Sequence, residues 1–551
     1  MIGKSKYLYN LILIVLFLPA LQNRFNIINI TPLEGAFIKS EKPKYSKQDW
    51  YSGEFQKRYV DFLEDNIGFR SSFVRINNQL DYSFFDILHA EGIIRGKNDV
   101  LFEEDYIKEY SGDFFIGKDA IEKRLSHLKF IQGKLKEKGI DLITVFEPGK
   151  ASFYPEFIPE KYNVSAKKIS NYDYYLEKAK EFEINYLDLN KYFLSIKDTS
   201  QYLLYPKCGT HWSTYGAYLA ADTLLKFIEY NRKIDIPDIE VRSMELSEKP
   251  MFSDDDLEKT LNLLFSIPQP ELAYPKFNFI DNPTKTKPDI LVVGDSYYFN
   301  IHTSDIPGNV FNSESFWLYN KFVYPETYKK DLLVKSLNLK SEIEKRDVIL
   351  LMITERFMHS FLWGFVENVY KLYSPDYRED PIYSYENAIR NYESWFKKIT
   401  IQAKKENKCL EEMITETANH EFASHFINSS NTNANDYLKF IDWQIRNDEK
   451  WVNSLINSAK EKQIDPDCFI YRNIVFIYKS IHTKKDDSFI GFRKAEKFYK
   501  QDMIDYFDWT IRQDKKWYND LVEKALTENR NIDEIIHENA VWVFNTNDLK
   551  K

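Results

Sequence analysis

A set of apolar runs of strand length dictates what this chain can fold into. IDLITVF (140–146), DILVV (289–293) and DVILLMI (347–353) each follow a helical or charged stretch, and a shorter run, INYLDL (184–189), follows the helical stretch around Tyr174–Phe182. Their apolarity is continuous rather than alternating, as strands buried on both faces require. A mainly parallel sheet in a three-layer α/β domain is therefore predicted. Each run ends in polar residues: Glu147, Asp188, then Gly294-Asp295-Ser296, and Thr354-Glu355. In open α/β sheets, ligands bind beyond the carboxyl ends of the strands, so these residues define where a site is sought.

At 551 residues the chain is too long for one compact core, and two domains are expected. A different texture begins near Tyr373, helical and dense in Trp, Tyr, Lys and Glu. Three segments, 389–422, 445–478 and 511–544, repeat with Ile389, Ile445 and Ile511 in one register and Trp395, Trp451 and Trp517 in another. The second and third copies share a preceding Asp-Trp, Asp442-Trp443 and Asp508-Trp509. Such self-similarity reads as stacked helical hairpins, with the tryptophans as core rather than a sugar platform. The expected organisation is 1–30 as signal anchor or signal peptide, 31–372 as the α/β domain and 373–551 as a helical repeat region. The tail reads as a protein-interaction array or a stabilising extension.

A net charge of −9 excludes a nucleic-acid binder, since no basic excess exists to neutralise phosphates. Three cysteines at wide spacing, Cys208, Cys409 and Cys468, form neither a disulfide framework nor a zinc site. Cys208 stands near His211, but as a small buried residue rather than a nucleophile. At the N-terminus Lys4 and Lys6 precede LILIVLFLPAL (11–21), then Gln22, Asn23 and Arg24. A positive flank, a short apolar core and a polar exit make a secretory signal, read here as an uncleaved anchor because no small-x-small cleavage site follows. The positive-inside bias then places everything after about residue 25 outside the cytoplasm, in the periplasm, either anchored to the inner membrane or secreted after cleavage.

The strongest chemical motif is DILVVGDSYYFN, a buried strand running into Gly294-Asp295-Ser296 and then a helix. Glycine permits a sharp turn. A serine there presents its hydroxyl at a helix N-terminus, where backbone N–H groups favour a developing negative charge. The competing reading is a plain helix cap by Asp295 or Ser296. A serine nucleophile needs a base, and the chain has nine histidines. His302 is nearest, but six positions along a helix turn it away from Ser296. His211, in KCGTHWSTYGAYLAADTLL, sits on a turn leading into an amphipathic helix, where a structural histidine is the alternative.

GTHWSTYGA followed downstream by VVGDS resembles the SGNH-hydrolase-like family of alginate acetylation proteins, the AlgJ/AlgX type. FLEDNIGFRSSFVRINNQLDYSFF, IIRGKNDVLFEEDYIKEYSG and FEPGKASFYPEFIPEKY follow that family's landmarks in order, so the resemblance spans about residues 50–372. It implies an O-acetyltransferase acting on an exported polysaccharide, with a membrane-bound O-acyltransferase (MBOAT type) as acetyl source. It also implies Ser296 as nucleophile, His211 as base, and oxyanion support from Gly294, Asp295 and Asn320. The family carries Asp two residues before its histidine; here that position is Gly209. The orienting acid is then sought among Asp188, Glu147, Glu314 and Glu355. The missing Asp leaves two alternatives to acetyl transfer: an acetyl-esterase, or a catalytically weak glycan-binding or scaffold subunit of an export complex. With no dinucleotide fingerprint, P-loop or metal-ligand cluster, neither a cofactor nor a metal is predicted.

Overall fold

The structure is a computed structural model that describes residues 2–35, 39–162, 167–374 and 381–428. Of the remainder it describes 441–442, 445–446, 449–461, 466, 469–470, 473–474, 477, 504, 511, 515–528 and 530–548. Two compact units are present, one of 1–379 with 387–414 and one of 380–386 with 415–551.

Among the described residues the first unit contains ten strands: β1 (Ile93–Arg95), β2 (Leu101–Glu103), β3 (Asp141–Glu147), β4 (Tyr186–Asp188), β5 (Asp238–Ser247), β6 (Leu272–Ile280), β7 (Asp289–Gly294), β8 (Ser313–Leu318), β9 (Phe322–Tyr324) and β10 (Val348–Thr354). Six form one sheet in the order β4-β3-β10-β7-β8-β9. Every neighbouring pair is parallel except the edge hairpin β8–β9. The four apolar runs are β3, β4, β7 and β10, and every residue of β3 and β10 is buried, which is why their apolarity does not alternate. Ile143, Val145, Ile290, Val292, Leu350 and Met352 pack with Ala217, Ala220, Leu224 and Ile228 of the helix Thr214–Arg232. The alternate residues Leu142, Leu291, Val293, Ile349 and Leu351 are equally buried and point to the opposite face. The helix Lys118–Lys136 lies against β3 and buries Ile121, Leu125, Leu128 and Leu135, completing the three layers. β5 and β6 form a separate antiparallel ribbon, with β6 against the Thr214–Arg232 helix.

The apolar N-terminal run lies in a helix, Ile2–Phe25, with Leu16 and Phe17 exposed. Among the described residues no helix is long and apolar enough to cross a membrane.

In the tail register, Ile389 of the first unit is fully buried, as are Ile445 and Ile511 within the second. The tryptophan register is less uniform: Trp517 packs against a buried cluster that includes Ile511, Leu521 and Ile535, Trp395 is half-buried, and Trp451 is 37% exposed. Trp443, Asp508 and Trp509 lie outside the described residues.

Candidate active site

Ser296 follows β7 directly and begins a single 3₁₀ turn, Ser296–Tyr298, continued by only four helical residues, Phe299–His302. The full helix expected after the motif is absent, so no sustained dipole aids the serine. Gly294 does not serve a left-handed turn either. A Cβ there would lie 3.2 Å from Met352 Cβ and O, so the missing side chain eases a close approach to β10. Asp295, fully buried, accepts from Tyr297 N–H at 3.0 Å, from Thr354 N–H at 3.0 Å and from Thr354 Oγ1 at 2.8 Å. It is both the cap of the turn and a clasp between the ends of β7 and β10.

His211 arrives from the loop before the Thr214–Arg232 helix, whose first turn is capped by Ser213 Oγ accepting from Gly216 N–H at 3.0 Å. Trp212 is buried against Phe193 and Tyr297. Tyr297, next to the serine, donates its hydroxyl to Thr210 O at 2.7 Å and so ties the histidine loop to the serine turn. From below, Lys150 Nζ donates to Lys207 O at 2.9 Å and Gly209 O at 2.6 Å. Burial lowers its ammonium to about 7.

These constraints leave His211 Nε2 2.9 Å from Ser296 Oγ. Nδ1 of the same ring lies 2.7 Å from Asp256 Oδ2. Asp256 opens the short helix Asp256–Leu261, which no sequence motif had marked. The pair faces a cleft of about 710 Å³ that is also lined by Phe252, Phe277, Phe299, Arg242 and Lys276, with β5 and β6 forming one wall. A hydroxyl hydrogen-bonded to an imidazole that a carboxylate holds on its far side is the arrangement that converts a serine into a nucleophile.

Residues 93–302, which contain Ser296, His211 and Asp256, match the family described as the SGNH hydrolase-like domain of the acetyltransferase AlgX. This stretch is similar to the SGNH hydrolase-like domain of the AlgJ/AlgX type. The probable alginate O-acetylase AlgJ of Pseudomonas aeruginosa is 29% identical over 159 residues, covering 29% of this chain and 38% of that protein. The chain thus spans well under two thirds of the curated relative it matches. The O-acetyltransferase domain of Pseudomonas putida AlgJ is 17% identical with a TM-score of 0.35, covering 51% of this chain and 99% of the other. Pseudomonas aeruginosa AlgX is 14% identical with a TM-score of 0.34, covering 48% and 61%.

None of the four carboxylates proposed to orient His211 in this SGNH-like domain is bonded to it. Asp188 caps the helix Leu189–Ile196, accepting from Lys191 N–H and Tyr172 Oη at 2.9 Å each. Glu314 pairs with His302 Nδ1 at 2.9 Å, which also turns His302 away from the serine. Glu355 accepts from Asn190 Nδ2, and burial pushes its carboxyl up to about 8. Glu147 is fully buried with both oxygens unpartnered, and desolvation raises it well above the usual range. Glu147 and Glu355 are interior acids, Asp188 and Glu314 are half-buried, and none of the four lines the cleft. No sequence motif marks Asp256, which stands in the acidic run Asp254-Asp255-Asp256, 45 residues from His211.

Asn320 does not aim at the serine, since its Nδ2 donates to Trp363 O at 3.1 Å. The hydroxyl of its neighbour Tyr319 lies within reach of Ser296, and its ring packs against Phe357 and Trp363 at 5.4 and 5.1 Å. Tyr319 and Asn320 have φ of 52° and 50°, a left-handed pair that closes the β8–β9 hairpin. Side chains rarely adopt such backbone, and here it turns the tyrosine over the site. Cys208 is buried and its thiol is pushed up to about 12, consistent with a packing role. Among the described residues no group of His, Cys, Asp and Glu could hold a metal ion.

Proposed function

We propose that this protein is an O-acetyltransferase that esterifies hydroxyl groups of an exported, cell-surface polysaccharide through an acyl-serine intermediate. The observation that carries the reading is the 2.9 Å contact between His211 Nε2 and Ser296 Oγ at the edge of an open cleft. Ser296 Oγ attacks the acetyl carbonyl of the donor while its proton passes to His211 Nε2. The tetrahedral adduct then collapses, the bond to the donor oxygen breaks, and that oxygen leaves with the histidine's proton. A sugar hydroxyl next attacks the acyl-serine and gives its proton to His211. Cleavage of the acyl–Oγ bond returns that proton to the serine and leaves the sugar acetylated. In this scheme the Ser296 N–H and the Tyr319 hydroxyl serve as donors to the developing oxyanion.

Arg242 and Lys276, the latter 3.8 Å from Glu245, outnumber the one lining acid, Asp305, and suit an acidic glycan of the kind the AlgJ relative's name denotes, and Phe252 and Phe277 offer apolar faces for sugar rings. The acetyl group is supplied by an MBOAT-type membrane acyltransferase. The protein works in the periplasm, held near the inner membrane by its N-terminal segment. Support for the scaffold alternative came from the missing acid at Gly209, and the carboxylate of Asp256 on His211 removes that support. Esterase action uses the same acyl-serine with water as acceptor.

The test is the acetyl content of surface glycan in a deletion strain complemented with wild type or Ser296→Ala. Restoration by wild type alone is expected, and equal rescue by both would leave only the scaffold reading. Transfer to an oligosaccharide acceptor, measured against free acetate release, separates transferase from esterase.

A further inference from the structure

We propose that Asp256 is the positioning residue for His211, and that the orienting acid has moved from the position two before the histidine to a separate segment whose backbone fills the space left at Gly209. The inference rests on the Ser296–His211 reading above and assigns the group that holds the base.

Three observations carry it. First, both oxygens of Asp256 are spent on the histidine loop: Oδ2 on His211 Nδ1 at 2.7 Å, and Oδ1 accepting from Thr210 N–H at 2.8 Å. Neither caps the helix that Asp256 begins, as a merely structural aspartate there would do. Second, the two segments are laced by their backbones, since Glu258 N–H donates to Cys208 O at 3.2 Å, while Lys150 holds the carbonyls on either side of Cys208. Third, a Cβ built on Gly209 would stand 2.8 Å from Asp254 O, 2.9 Å from Asp254 C and 2.9 Å from Pro206 Cγ. Two of those atoms are main chain and cannot rotate aside. An aspartate at 209 and an Asp256 in its present place are therefore alternatives that exclude each other.

The chemical consequence concerns the tautomer. A carboxylate only accepts, so Nδ1 carries the hydrogen and Nε2 presents its lone pair to Ser296 Oγ, as a general base must. An asparagine at 256 keeps the shape but offers an amide, and can stabilise the opposite tautomer.

The experiment uses the purified full chain and two readouts that need no glycan. An arylsulfonyl fluoride modifies an activated serine by forming an S–Oγ bond and expelling fluoride, while the serine proton goes to His211. Asp256→Asn is expected to slow modification of Ser296 by on the order of 10⁴-fold with little change in melting temperature. A downfield imidazole N–H proton resonance should appear in wild type and in Ser296→Ala, and vanish in Asp256→Asn and in His211→Gln. The double variant Gly209→Asp/Asp256→Asn should stay as slow as Asp256→Asn.

Modification of Asp256→Asn within about threefold of wild type, against the 10⁴-fold loss expected, would overturn the proposal. Persistence of the downfield resonance in Asp256→Asn would do the same, as would recovery in the double variant. If wild type is not modified at all, the serine-nucleophile reading falls, while the resonance still decides whether Asp256 holds the imidazole.

Discussion

Two stretches of the same sheet edge carry polar residues at strand ends, and they have opposite fates. At the end of β7, Ser296 meets His211 in an open cleft, and each polar atom of the imidazole has a partner chosen by chemistry. At the ends of β3 and β10, Glu147 and Glu355 are buried with carboxyls raised by desolvation. One of these acids has no hydrogen-bond partner and the other is held by an amide. A polar residue beyond a buried strand is thus no more than a candidate. Access to solvent and the loop that crosses above it decide whether it reacts or is merely enclosed.

Substitutions on the two stretches should separate just as sharply. On the cleft side, Ser296→Ala and His211→Ala should each reduce acetyl transfer to an oligosaccharide by on the order of 10⁵- to 10⁶-fold, measured as initial rates, because the pair acts as a unit. Activity within tenfold of wild type in either variant would erase the distinction. A smaller loss is expected from reversing the charge of the wall. Arg242→Glu with Lys276→Glu should raise KM for an acidic oligosaccharide about tenfold while leaving kcat nearly unchanged, as expected when uniform binding is removed. Equal effects on a neutral oligosaccharide would show that charge is not what these residues contribute.

On the enclosed side, Glu147→Leu should leave transfer rates unchanged and raise stability by about 1–3 kcal/mol in denaturant unfolding, since it replaces an unpartnered buried carboxyl by an apolar group. The smallest effect concerns Asp254, whose carboxyl burial pushes up to about 7 from its ordinary 3.8, with Asp256 and Asp255 adding to the shift. Between those values the folded chain holds a proton that the unfolded chain has lost, so stability falls as pH rises through that interval and stays low above it. Asp254→Asn should therefore raise the melting temperature by a few degrees at about pH 8 and change little at about pH 4. The reverse order would mean that Asp254 is held ionised.

Much of this architecture is legible in one dimension because its causes are local or periodic. Strands buried on both faces need unbroken apolar runs, so β3, β7 and β10 announce themselves together with their parallel arrangement. Ser296 and His211 each stand in a local motif, and the resemblance of their ordered context joined them. Other features depend on contacts between distant segments. Gly294 looks like a turn glycine, yet what its missing side chain serves is the close approach of Met352 of β10. Asn320 reads as a donor to the site, but at the left-handed hairpin turn its amide donates to Trp363 O instead. In the tail the three register isoleucines are all fully buried, whereas of the register tryptophans Trp517 packs on a buried cluster and Trp451 is exposed.

What the sequence by itself determined is the three-layer α/β framework, the edge at which chemistry would be found, and the two residues that meet there. Only the tertiary structure decided what holds the histidine. An orienting carboxylate has to reach Nδ1 in space, not in sequence, and any loop that crosses the site can deliver it. Here that loop brings Asp256, and its backbone at Asp254 leaves room at position 209 for glycine alone.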